Sequence, residues 1–109
     1  MIVSDDNVST ALKYLAQDPH PIALSRKDVL DCENSCKATF AKLFLEATGS
    51  IKERECYVED SEMYQSLKAD EAEAIFELER HKSRTRAAEM LICVWQSEGA
   101  NARVAERVR

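Results

Sequence analysis

Along the chain, apolar residues recur at three- and four-residue intervals, the spacing of one face of a helix. Ser4 followed by Asp5 and Asp6 has the form of an N-cap with acid in the first turn. It predicts a helix over 4–17 that turns Val8, Leu12 and Leu15 toward a core. Asp18-Pro19-His20-Pro21 ends that helix, because two prolines so close cannot continue it. Ser25, with Asp28 in the position of a capping-box acid, predicts a second helix over 25–48. Its stripe of Val29, Glu33, Cys36, Phe40, Leu43 and Ala47 steps by 4,3,4,3,4, the signature of a narrow helix–helix seam. Phe44 widens the face, and Thr48-Gly49 ends it, glycine suiting the left-handed position after a helix.

Residues 50–60 mix Ile51, Cys56, Tyr57 and Val58 with six charges and predict a linker that reverses the chain. Asp60 or Ser61 can cap a third helix over 61–98, which contains no Gly or Pro. Its stripe is Tyr64, Leu67, Glu71, Ala74, Leu78, His81, Thr85, Ala88, Ile92 and Trp95, seven of the ten apolar or aromatic. A stripe sustained this far predicts a coiled-coil-like helix packed along a partner. It outreaches the second helix, so the N-terminal helix, a second copy of the chain, or both must cover the remainder. A homodimer or higher oligomer is therefore expected. Gly99 interrupts, leaving 99–109 as a tail.

Composition agrees with this pattern. The 109 residues suit a single domain with a modest core, and two glycines and two prolines are too few for the turns of an all-β fold. The expected class is all-α: a helical hairpin with a long coiled-coil-like C-terminal helix and a short N-terminal helix. No apolar run approaches the roughly 20 residues that span a bilayer, so no membrane is expected. Early acid and the lack of a basic stretch at the N-terminus argue against a signal peptide and for a cytoplasmic location. In that compartment Cys32, Cys36, Cys56 and Cys93 read as reduced, unpaired thiols. Zinc held by these and His81 would normally show a C-x2-C pair, which the chain lacks, so no metal and no cofactor is expected.

Charge divides more sharply than the net −5 suggests. Residues 53–79 hold ten acids against Arg54 and Lys68, whereas residues 80–109 hold seven bases against three acids. Acid early and base late along the third helix complements its macrodipole. The basic run also offers contacts to phosphate: Arg80, Lys82, Arg84 and Arg86, with Trp95 and the tail residues Arg103, Arg107 and Arg109 beside them. The bland alternative is a solvated face that flanks a seam. Trp95 and His81 stand at seam positions, which favours packing over stacking or catalysis. Glu71, Glu73, Glu77 and Glu79 form the opposite candidate surface, one that would capture a basic partner.

Catalytic signatures are missing: no Gly-rich phosphate loop, no H-E-x-x-H and no nucleophile elbow. A di-metal carboxylate bundle needs Glu-x-x-His, but Gln17 and Leu78 stand three residues before the two histidines. The chain is not expected to be an enzyme.

Leu43-Phe44-Leu45-Glu46-Ala47-Thr48-Gly49-Ser50 through Glu53-Arg54-Glu55, with Trp95-Gln96-Ser97 and Ala100-Asn101-Ala102-Arg103 later, resembles a loose group of small helical bacteriophage proteins. The resemblance covers residues 40 to about 103. It departs after the tryptophan motif, where the group continues with more basic residues and this chain interleaves Val and Glu. Proteins of the group mostly lack an assigned function and are associated with phage regions encoding recombination and replication proteins. The resemblance implies a non-enzymatic accessory protein acting in the host cytoplasm on a protein or nucleic-acid partner, and no site residue comes with it. An acidic helical inhibitor that mimics nucleic acid is the alternative, and a structural assembly component a further one.

Overall fold

The computed structural model describes residues 3–108, and its fold is all-α. Four helices follow one another: α1 (Asp5–Leu15), α2 (Pro21–Glu46), α3 (Ile51–Glu59) and α4 (Glu62–Val108). Among the described residues there is no strand, and no helix is long and apolar enough to cross a membrane.

Side-chain caps start the helices, and they explain where the boundaries differ from those the pattern suggests. In α1 the Ser4 hydroxyl accepts the Asn7 N–H at 3.2 Å, as expected of that N-cap. For α2 the start is Pro21 rather than Ser25. Proline suits a first helical position, where its missing N–H would have no partner anyway, and the His20 Nδ1 accepts the Ile22 N–H at 3.1 Å. Ser25 lies one turn inside and is buried.

The segment 50–60 is not a linker. Ser50 accepts the Glu53 N–H at 3.2 Å and starts α3, a Ser-x-x-Glu start hidden among charges. Val58, in that same segment, is the only fully enclosed side chain among the described residues. Gly49 takes a φ of 110°, the left-handed conformation that lets the chain leave α2 and enter α3. The tail is corrected too: α4 runs through Gly99 to Val108, because Ala100, Ala102, Arg103 and Ala105 are strong helix formers.

Contacts divide the chain into two compact bodies, Met1–Ile22 with Arg80–Arg109, and Ala23–Glu79. In the first, α1 lies antiparallel to residues 80–108 of α4, with Asp5 against Trp95 and Tyr14 against His81 and Thr85. Its core joins Ala11, Tyr14 and Ala88, with Leu15, Leu91 and Ile92 packed around them. The inward face of α1 is thus Val8, Ala11, Tyr14 and Leu15, while Leu12, expected inside, is 51% exposed. A tyrosine can bury its ring when its hydroxyl finds a partner, which a polarity pattern does not register.

In the second body α2 and residues 62–79 of α4 form an antiparallel hairpin. The Phe40 ring meets Tyr64 edge-on at 5.9 Å between centroids and stacks on Phe44 at 5.9 Å. From α3, the Arg54 guanidinium sits over the Phe44 ring at 5.6 Å. All ten seam residues of α4, the five of α2 and Ala47 just past its end are buried or half-buried. In the first body α1 supplies the cover, and in the second α2 does so, within one chain.

Candidate functional site

The charge division follows the two bodies. The first holds eight basic and six acidic side chains, and the second seven basic and fourteen acidic, giving +2 and −7. The basic run lies where α4 packs on α1. Arg80, Arg84 and Arg86 are exposed and Lys82 is half-buried. Arg84 folds back, its guanidinium 4.4 Å from the centroid of the Tyr14 ring. Such a cation–π contact is worth about 0.5–1 kcal/mol at an exposed site and holds the guanidinium against α1. Arg103 and Arg107 are exposed further along α4, and Arg109 lies outside the described residues.

Tyr14 organises this region. Its hydroxyl donates to the His81 carbonyl at 3.2 Å and lies 3.3 Å from the Thr85 hydroxyl. Thr85 gives its own proton to the same carbonyl at 2.9 Å, so Tyr14 is the donor toward that pair. His20 meets the Tyr14 ring edge-on at 5.1 Å. Half-buried His81 enters the seam through its backbone carbonyl, in keeping with a packing role.

One turn beyond the end of that core, Trp95 donates its indole N–H to the Asp5 carboxylate at 3.2 Å. The two residues line a pocket of about 210 Å³ with Gln96, Gly99 and Arg103. Trp95 and Arg103 are visible in the sequence as candidates. Asp5, Gln96 and Gly99 are not, because Asp5 stands 90 positions from Trp95 and only the antiparallel packing of α1 joins them.

The acidic candidates do not form one surface. Glu71 sits in the seam, held by Lys68 at 3.0 Å and lining a pocket with Cys36. Glu77 is half-buried, whereas Glu73 and Glu79 are exposed. A second pocket of about 250 Å³ lies in this hairpin, lined by Cys36, Phe40 and Tyr64 with Glu33, Lys37, Lys68 and Glu71. Its charges alternate in sign, so it favours neither an anion nor a cation. Burial and the neighbouring Glu71 carboxylate push the Cys36 thiol above its ordinary pKa, opposite to the activation a nucleophilic cysteine needs. Cys32 is half-buried and also raised, chiefly by burial, while Cys56 and Cys93 are exposed. Among the described residues no group of three or more His, Cys, Asp and Glu side chains is placed to hold a metal ion.

No protein-family model, curated protein or solved structure matches the chain.

Proposed function

We propose that this chain is a non-enzymatic phage accessory protein that supports DNA recombination or replication by binding nucleic acid through the basic half of α4. The phage setting comes from the resemblance of residues 40 to about 103. One observation carries the choice of partner: Arg80, Lys82, Arg86, Arg103 and Arg107 share a net positive body with the chain's single tryptophan. Phosphate contact needs the cations, and an unpaired base needs an aromatic face. Arg84 contributes less directly, since Tyr14 holds it.

The test replaces Arg80, Lys82, Arg86 and Arg103 together with Gln, a good helix former. Fluorescence anisotropy with a labelled single strand at low salt is expected to show affinity falling at least tenfold, with the circular dichroism spectrum unchanged. Equal binding by the variant would remove the basic half of α4 from the interface.

An inhibitor reading is favoured by a different observation, the −7 balance of the second body. Glu73 and Glu79, which are exposed, would then carry capture of a basic protein, while Glu71 is half-buried in the seam.

The accessory protein also works as a homodimer or larger assembly. The seam does not require this, being covered within one chain, but Leu45, Ile51, Phe76 and Met90 are 80%, 70%, 60% and 62% exposed. Burying such side chains is worth roughly 1.5–3 kcal/mol each. Sedimentation is expected to give a species of at least twice 12.3 kDa. A monomer persisting at high micromolar concentration would refute it.

A further inference from the structure

Gly99 occupies a place that neither backbone nor packing requires to be glycine. It lies within α4 and is not among the described residues with positive φ, where Gly49 stands alone. A Cβ built on it meets nothing closer than the Arg103 Nη1 at 3.9 Å, ordinary van der Waals contact. Glycine is also the poorest helix former after proline. Its missing side chain does have one consequence, which is to leave part of the lining of the pocket between Trp95 and Arg103 open.

The pocket's chemistry is specific. Trp95 offers an aromatic face whose orientation is fixed by its N–H bond to Asp5. A carboxylate accepts at both oxygens, so Asp5 can still receive an N–H from a bound ring. Gln96 can donate and accept, and Arg103 adds a planar cation suited to stacking or phosphate. The volume of about 210 Å³ falls below the roughly 300–1,000 Å³ typical of sites for whole small molecules. It suits one flat ring system attached to something larger.

We propose that this pocket holds one unpaired nucleobase of a bound single strand, packed against Trp95 with an N–H edge toward Asp5 and the adjoining phosphate at Arg103. The proposal rests on the nucleic-acid reading above and deepens it: the basic residues hold the backbone of either strand form, while the pocket selects unpaired bases.

The probe is a short mixed-sequence single strand, compared with its duplex. Trp95 is the only tryptophan, so its fluorescence reports the pocket alone. Titration of the wild type with the single strand is expected to quench that fluorescence. Gly99→Leu fills the pocket with a better helix former, so it is expected to melt no lower than wild type. Its single-strand affinity should fall by about tenfold, within the range stacking of one base supplies, with duplex affinity unchanged. Gly99→Ala, a smaller intrusion, is expected to melt at least as high and to weaken single-strand binding less. If the wild type binds the strand and both variants bind it equally well, the pocket proposal is overturned and the basic interface stands. If the wild type binds neither single strand nor duplex, the nucleic-acid reading fails and the pocket proposal with it.

Discussion

Val58→Asp is expected to unfold α3 and to cost about 3–5 kcal/mol, the range for an uncompensated buried charge. The side chain is fully enclosed, so the carboxylate would be cut off from water. The loss is large against the roughly 5–15 kcal/mol that holds a typical domain together. With nine residues α3 is also too short to persist alone, since isolated helices below about 12–15 residues are marginal in water. Its existence depends on what it buries, and Val58 is what it buries most completely. Lys52→Asp is the matched control: the residue is exposed and lies in the first turn of the helix, where negative charge suits the dipole. That variant should stay within about 0.5 kcal/mol of wild type. Urea unfolding followed by circular dichroism measures both, and equal effects would mean that α3 is not anchored through Val58.

Tyr14→Ala is the corresponding expectation for the other body, at about 3–5 kcal/mol for truncating a buried aromatic side chain. The ring is 5% exposed and supports three contacts at once: the Ala11–Ala88 core, the Arg84 guanidinium and the His20 ring. Tyr14→Phe removes only the hydroxyl, which serves the His81 carbonyl and Thr85, and should cost about 1 kcal/mol. The ratio between the two variants separates packing from hydrogen bonding. A Phe variant as unstable as the Ala variant would show that the hydroxyl, rather than the ring, docks α1. Tyr14→Ala should also weaken strand binding, because α1 carries Asp5 to Trp95.

The seam was the most legible feature, since helical periodicity alone places side chains on one face. From Tyr64 to Trp95 every position that the three-and-four spacing selects is at least half-buried, including the polar Glu71, His81 and Thr85. Each of those three has an identifiable reason: Glu71 pairs with Lys68 on its own helix and lines a pocket with Cys36 of α2, while the His81 carbonyl and Thr85 meet the Tyr14 hydroxyl. The all-α class and the hairpin follow from the same stripes.

What escaped the pattern did so for identifiable physical causes. On α1 the apolar pattern favours Leu12 over Tyr14 for the inward face, yet a tyrosine with a hydroxyl partner buries as well. The start of α2 is hidden from the pattern because His20 caps it with a ring nitrogen, outside the usual capping residues. α3 was hidden because Lys52, Glu53, Arg54, Glu55 and Glu59 surround its one enclosed position. Gly99 looked like a stop, yet helix formers on both sides carry α4 through it. The basic residues of the candidate site were visible in sequence, but the pocket beside them was not. Asp5 and Trp95 come together only through a fold.

The central claim, that the basic half of α4 meets phosphate, is tested most directly by the salt dependence of single-strand binding. Anisotropy titrations at several salt concentrations give the slope of log affinity against log salt. Single-strand contacts release counterions at about 0.7 per phosphate, so four to six basic contacts predict a slope of about −3 to −4. A flat dependence, or no binding at the lowest salt used, would contradict the claim.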